Sequence, residues 1–321
     1  MKQSIQYLTL VLVALFMTAG SVFAQQNRDL QYYRYPDQRG LNVFEAPFET
    51  DVTFNGLNVV IGGANTLQFQ ALRHDNSGAV ELSNLGSNFN LATSNLDFNV
   101  ALANGLRMHL RTYLSSQHHP EAWVKGGYIQ IDRLDFISEG FAEELMENVR
   151  IKIGHMEVNY GDNHFRRSDN GQAIFNPFVG NYIMDSFNTE VGGEVYYHSN
   201  GFLVMVGITN SKLNQSVVLP DDPDAPKSTA SFVGKLGYDS QINPDLRVRL
   251  TGSIYTTGEA SSIYLYDGDR AGSRYYAVME GSFRSGRFDP GMDNEITSFM
   301  INPFIKFKGL EFYGVYENAS G

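Results

Sequence analysis

Cysteine is absent from all 321 residues. That excludes disulfide frameworks, thiolate zinc sites, Fe–S clusters, a catalytic cysteine and a lipid anchor on an N-terminal Cys. Tryptophan occurs once, so there is no Trp platform for a polysaccharide. Charged residues are 18 % of the chain, below the usual quarter of a soluble domain. A basic surplus is also missing. The 24 Lys+Arg against 35 Asp+Glu give a net charge of −11, which argues against a general nucleic-acid binder. Beyond Ala24 no apolar run approaches the ~20 residues of a membrane-spanning helix. What is plentiful is Phe (22), Tyr (18) and Gly (31). Aromatics with few charges point to β structure.

The N-terminus reads as an address. Lys2 precedes a mostly apolar run from Tyr7 to Met17, and Val22-Phe23-Ala24 close it with a small residue before Gln25. A positive start, a short apolar core and a small −1 residue describe a secretory signal peptide over residues 1–24. The chain is therefore expected to be exported, and any membrane role must come from strands. Residues 25–55 are polar and aperiodic, an irregular periplasmic lead-in.

From Gly56 the period becomes two. Leu96-Asp97-Phe98-Asn99-Val100-Ala101-Leu102 alternates, Asn104-Gly105 signals a tight hairpin, and the return strand splits into two faces. Leu106, Met108, Leu110 and Leu114 share one face; Arg107, His109, Arg111 and Tyr113 share the other. Eleven strands follow this pattern: Val59–Arg73, Leu91–Leu102, Leu106–Ser116, Trp123–Leu134, Val149–Val158, Thr189–His198, Phe202–Asn210, Ala230–Asp239, Leu246–Thr257, Ile296–Phe307 and Leu310–Glu317. Most exceed the five or six residues typical of soluble strands and match the ~9–11 needed to cross a bilayer at a tilt. Short turns at 104–105, 199–201, 241–244 and 308–309 alternate with long polar loops at 74–90, 159–188, 211–229 and 258–295. That alternation is the habit of outer-membrane barrels. The fold expected over residues 56–321 is all-β: an antiparallel transmembrane β-barrel of the outer-membrane porin type. With an odd strand count and an ending at Glu317–Gly321, it reads as an incomplete, C-terminally truncated fragment.

In such a barrel the apolar face meets lipid and the polar face meets the lumen. Asp97, Arg107, His109, Arg111, Asp132, Arg150, Lys152, Lys235, Asp239, Arg247, Arg249 and Lys306 are expected to point inward. Lys and Arg outnumber Asp there, so the walls read as cationic, able to concentrate anions. The alternative is that each cation is paired across the interior. Pore lining is assigned to Arg107, His109, Arg111, Arg150, Lys152, Arg247 and Arg249. The dense loop after Gly154 places Asp162, His164, Arg166, Arg167 and Asp169 together. A loop of this length with Phe165, Phe175 and Phe178 is expected to fold inward as a constriction, with the Arg pair suited to anions through its planar donors.

Four stretches then resemble a known group: Asp37–Glu45, Gly154–Gly171, Asn176-Pro177-Phe178-Val179-Gly180 and Ile301–Leu310. They are similar to outer-membrane porin-type proteins of Bacteroidetes, of the phosphate-selective porin O and P group. The resemblance implies a 16-stranded barrel, often a homotrimer, with an arginine-lined constriction. No enzyme is expected, since Gly-x-Ser-x-Gly and His-Glu-x-x-His are both missing. His118-His119 and Asp221-Asp222-Asp224 fit metal sites poorly, and no cofactor is implied. The function expected is passive diffusion of small polar solutes across the outer membrane of a Gram-negative bacterium, leaning towards anions such as phosphate, with lipid and solute as partners. A non-conducting structural or ligand-binding barrel is the alternative, ahead of a soluble exported β-sandwich.

Overall fold

Period-two alternation builds a single antiparallel sheet in which each strand pairs with the next. The computed structural model describes residues 29–71, 73, 75–79, 82, 86–115, 122–166, 186–211, 229–260, 265–266, 290–292 and 294–321. The expected signal peptide lies outside them. The strands are β1 (Asn58–Ala71), β2 (Ser87–Ala103), β3 (Leu106–Ser115), β4 (Trp123–Ile131), β5 (Val149–Glu157), β6 (Thr189–Ser199), β7 (Phe202–Thr209), β8 (Ser231–Asn243), β9 (Leu246–Thr257), β10 (Ile296–Phe307), β11 (Leu310–Tyr313) and β12 (Tyr316–Ser320). They form one 12-stranded sheet in sequence order, β1 through β11, with β12 also on β10. The sheet does not close.

All eleven expected strands are present, and the last is interrupted. Phe304 faces Tyr313 and Ile301 faces Tyr316, so one register runs through the break at Gly314-Val315. Pro303 is the cause. Gly314 N donates to Pro303 O (2.9 Å), but proline has no N–H to return the bond. Asn302 Nδ2 supplies it instead, donating to Gly314 O at 3.3 Å. The twelfth strand is thus the far half of the eleventh.

The hairpins differ from one another. Asn200 and Gly201 both have positive φ (50° and 83°), as a two-residue primed turn requires. At Asn104-Gly105 only Gly105 is positive (66°), and the register shifts between Ala101 and Ala103. The Asn-Gly pair there makes a bulged turn rather than the primed turn its sequence suggests. In a meander, alternate connections share an end. The turns 104–105, 200–201, 244–245 and 308–309 therefore lie at one end, and the long loops at the other.

The two faces have opposite chemistry. One exposes Val59, Ile61, Phe89, Leu96, Val124, Ile129, Ile153, Val195, Val204, Val206, Ile208, Phe232, Leu236, Leu250, Ile254, Phe299 and Ile305. Leu106, Met108 and Leu110 share this face and are half-buried. No described residue forms a second layer over it. Soluble monomers rarely expose a contiguous apolar patch beyond a few hundred Å². The other face is inward. The sheet curls round it so that residues 158–166, which follow β5, reach β8 to β11: Asp162 N donates to Asn302 Oδ1 (2.9 Å) and Tyr313 OH to Asn163 Oδ1 (2.5 Å). Among the described residues no helix is long and apolar enough to cross a membrane. The described helices, α1 (Glu143–Met146) and α2 (Asn163–Arg166), are single turns.

Candidate functional site in the sheet interior

Inward side chains stack in tiers from the short-turn end to the long-loop end. At the short-turn end the lead-in lies across the inner face. Gln31 clamps the β2–β3 turn: its Nε2 donates to Asn104 Oδ1 (3.0 Å), and Gly105 N donates to its Oε1 (3.0 Å). Further along, Arg150 donates to Ala46 O (2.6 Å), Pro47 O (2.5 Å) and Asp132 Oδ1 (2.5 Å). Arg247 forks onto Asp239 (2.8 and 2.7 Å) and donates to Asn42 O (2.9 Å). Phe44 is 2 % exposed and meets Phe304 edge-on, with centroids 5.3 Å apart. Phe48 stacks on His198 at 4.6 Å.

The middle tier is a four-charge cluster. Lys235 Nζ reaches Asp162 Oδ1 (2.7 Å) and Glu45 Oε1 (3.2 Å), and donates to Asn159 Oδ1 (2.6 Å) and Gly161 O (2.7 Å). Arg249 forks onto Asp162, with both bonds at 2.9 Å, and meets Glu45 Oε2 at 2.9 Å. The side chains of Lys235 and Asp162 are 0 % exposed. Burial pushes the Glu45 carboxyl up, but Arg249 and Lys235 outweigh it and hold it down at about 2. Asp162 is held below the usual carboxylate range: burial raises it, and Lys235 with Arg249 overcomes that. His164 is driven well below its ordinary value, first by burial and then by Lys235.

The upper tier is polar and aromatic. Glu190 accepts from Tyr255 OH (2.7 Å), Asn188 Nδ2 (2.6 Å) and the Thr209 hydroxyl. The Tyr266 hydroxyl bonds Glu317 (2.7 Å) and Ser298 (2.8 Å). Around these pack Val158, Tyr160, Met205, Val233, Leu265 and Met300. The inner face of β6–β10 is therefore filled.

Gly161 makes that filling possible. Its φ is +65°, and a Cβ there would fall 2.2 Å from Met300 Sδ. Gly161→Ala should lower the unfolding free energy in detergent, and the midpoint with it, by about 1–2 kcal/mol of free energy from backbone conformation, plus a packing cost. Met300→Ala in the same chain should relieve only the packing part. Equal midpoints for Gly161→Ala and the parent would show that the loop does not hold this conformation.

The β1–β5 side keeps open space. A cavity of about 330 Å³ is bounded by Tyr33–Asp37 and Phe44–Ala46 of the lead-in, inner residues of β1–β5, and His164 and Phe165. Arg34, Arg107, Arg111, Lys125, Arg150 and Lys152 line it, with Asp37, Glu45, Asp97 and Glu157. Arg107 is 5 % exposed and its hydrogen-bond partners are neutral: Gln130 Oε1 (2.7 Å) and Asn99 Oδ1 (3.3 Å). His109 Nδ1 meets Asn99 Oδ1 at 2.8 Å. Arg111 pairs with Asp97 (2.5 Å), and Lys152 with Glu194 (3.4 Å).

All seven expected lining residues, Arg107, His109, Arg111, Arg150, Lys152, Arg247 and Arg249, thus share the inward face. Five of them bond carboxylates: Arg111, Arg150, Lys152, Arg247 and Arg249. The described part of the constriction loop lies inside. Asp162 and His164 are buried, and Arg166 donates to Asn42 Oδ1 (2.7 Å) over the Tyr313 ring. Arg167 and Asp169 lie outside the described residues, as do His118, His119 and Asp221–Asp224. The expectation of a cation-rich wall needs correcting, because Glu45, Glu157, Glu190, Glu194, Glu311 and Glu317 face the same interior. Glu190 and Glu194 were legible, since they alternate with Gly192, Tyr196 and His198 along β6. Glu45 sits in an aperiodic stretch with no such signal. Among the described residues, no group of three His, Asp or Glu is placed to hold a metal ion.

The arrangement is a barrel-like antiparallel sheet with an apolar outside and a charged, partly filled inside. No known protein family matches the chain, and no curated protein matches its sequence.

Proposed function

We propose that this chain is an outer-membrane channel protein that passes small polar solutes by passive diffusion, leaning towards anions. One observation carries the reading: the uncovered apolar face lies back to back with a charged interior that keeps a cavity. A face of that kind suits hydrocarbon, and an enclosed polar interior suits water and solutes. The lean towards anions rests on the cavity side, where Arg107 has neutral partners and Arg34, Arg111 and Lys125 stand around it. On this reading the chain is exported through the expected signal peptide and resides in the outer membrane of a Gram-negative bacterium. Lipid surrounds it there, a homotrimer is the implied assembly, and phosphate is one candidate solute. No covalent chemistry is assigned to it.

The test is extraction followed by conductance. The protein should need detergent for release from membranes and should give stepwise conductance in planar bilayers, with reversal potentials favouring anions. Replacing Arg166 and Arg167 with Ala should reduce that preference; an unchanged reversal potential would remove the constriction role from them. Release into aqueous periplasm would sink the membrane reading. The filled β6–β10 side favours a second reading, a non-conducting barrel, and silence in the bilayer would select it.

A further inference from the structure

Two segments that are not strands occupy the interior together, and they meet on the same side chains. The lead-in enters from the short-turn end and residues 158–166 from the long-loop end. Glu45 of the first and Asp162 of the second share Lys235 of β8 and Arg249 of β9. We propose that the lead-in is a releasable plug, latched through Glu45 to Lys235 and Arg249, and that its withdrawal opens the passage. The inference rests on the channel reading and adds its regulation.

Three features of the lead-in support this. First, its regular structure is one 3-10 turn at Gln38–Gly40, and among the described residues no backbone-to-backbone hydrogen bond ties residues 29–55 to a strand. Leaving therefore breaks no ladder. Second, its polar anchors over residues 42–47 are mainly charged side chains of the wall, set beside the buried Phe44 ring. Arg150 and Arg247 hold its carbonyls, and Arg249 with Lys235 holds its carboxylate. Groups of this kind can exchange partners with water, whereas a ladder or a dry core cannot do so piecemeal. Third, it walls the open space. Tyr33–Asp37 and Phe44–Ala46 bound the cavity. Withdrawal would join that cavity to the short-turn end without moving a strand.

Because the chain has no cysteine, single thiols report without ambiguity. The full chain carrying Ala46→Cys is reconstituted, and labelling by a hydrophilic maleimide is timed while conductance is recorded in planar bilayers. Adding Glu45→Gln should speed labelling roughly tenfold or more and raise conductance. A second restraint lies away from the latch. Asn42→Cys with Glu311→Cys, at side chains 2.5 Å apart in the parent, is added to Glu45→Gln and bridged by a short bis-thiol reagent. Bridging should return conductance to the closed level. Unchanged labelling with Glu45→Gln overturns the latch. Identical conductance with and without the bridge overturns the plug and leaves the channel standing. Faster labelling with silence in every variant removes the channel, and the plug's role with it.

Discussion

Replacing Lys235 with Met should be the most damaging single change in the interior, costing about 3–5 kcal/mol. The lysine is a fully buried cation with two carboxylates, one amide oxygen and one carbonyl around its ammonium. Methionine fills much of the volume but donates nothing. Glu45 and Asp162 would then share Arg249 alone, leaving one negative charge uncompensated away from water. Removing one partner of a buried pair is costly for that reason, even where the whole pair adds little. The rim gives the contrast. Lys306 is 42 % exposed and meets Glu311 at 3.3 Å, so Lys306→Met should cost no more than about 1 kcal/mol. Adding Asp162→Asn to Lys235→Met restores charge balance, with Glu45 on Arg249, and should recover part of the loss; coupling of about 0.5–3 kcal/mol is usual for contacting residues. Amide exchange of residues 43–46 and 159–163 in detergent reads the local opening directly. If Lys235→Met protects those amides as well as Lys306→Met does, the cluster is not what holds the two segments.

The sheet was legible in the sequence because strand faces repeat. Alternation at Leu106–Leu114 names both faces, and all eleven runs are strands. Where the sheet deviates, a local residue is responsible: Pro303 breaks the last strand by withholding one N–H, and a bulge at Ala101–Ala103 alters the Asn104-Gly105 turn. The interior was only half legible. Alternation places Arg107, Arg150, Arg247 and Arg249 inward but is silent about what meets them. Their partners include Glu45, Asp162, and the carbonyls of Asn42, Ala46 and Pro47, all in aperiodic stretches brought there by chain path. A carbonyl's placement leaves no trace in residue type. That is why a cationic wall was expected where the structure has a largely paired one.

Acid should release the lead-in, over a window set by the groups at the latch. Glu45 is faced by Lys235 from β8, Arg249 from β9 and Asp162 from the loop, with Asp239 beyond Arg249. Docked, its carboxyl is held at about 2, against an ordinary 4.5. A depressed docked value means that docking is favoured fully above the ordinary value and is lost as pH falls towards the docked one. At about 1.4 kcal/mol per pH unit, Glu45 alone contributes on the order of 3 kcal/mol at neutral pH, shed progressively below about 4.5. Asp162 belongs to the loop and repels Glu45, so its own protonation does not drive release. A nitroxide on Ala46→Cys, followed by electron paramagnetic resonance, should stay immobile at about pH 7 and turn mobile as pH falls below about 4.5. Glu45→Gln should remove most of that pH dependence. A line shape that stays immobile from pH 7 to 3 would mean that these charges do not set the docking of the lead-in.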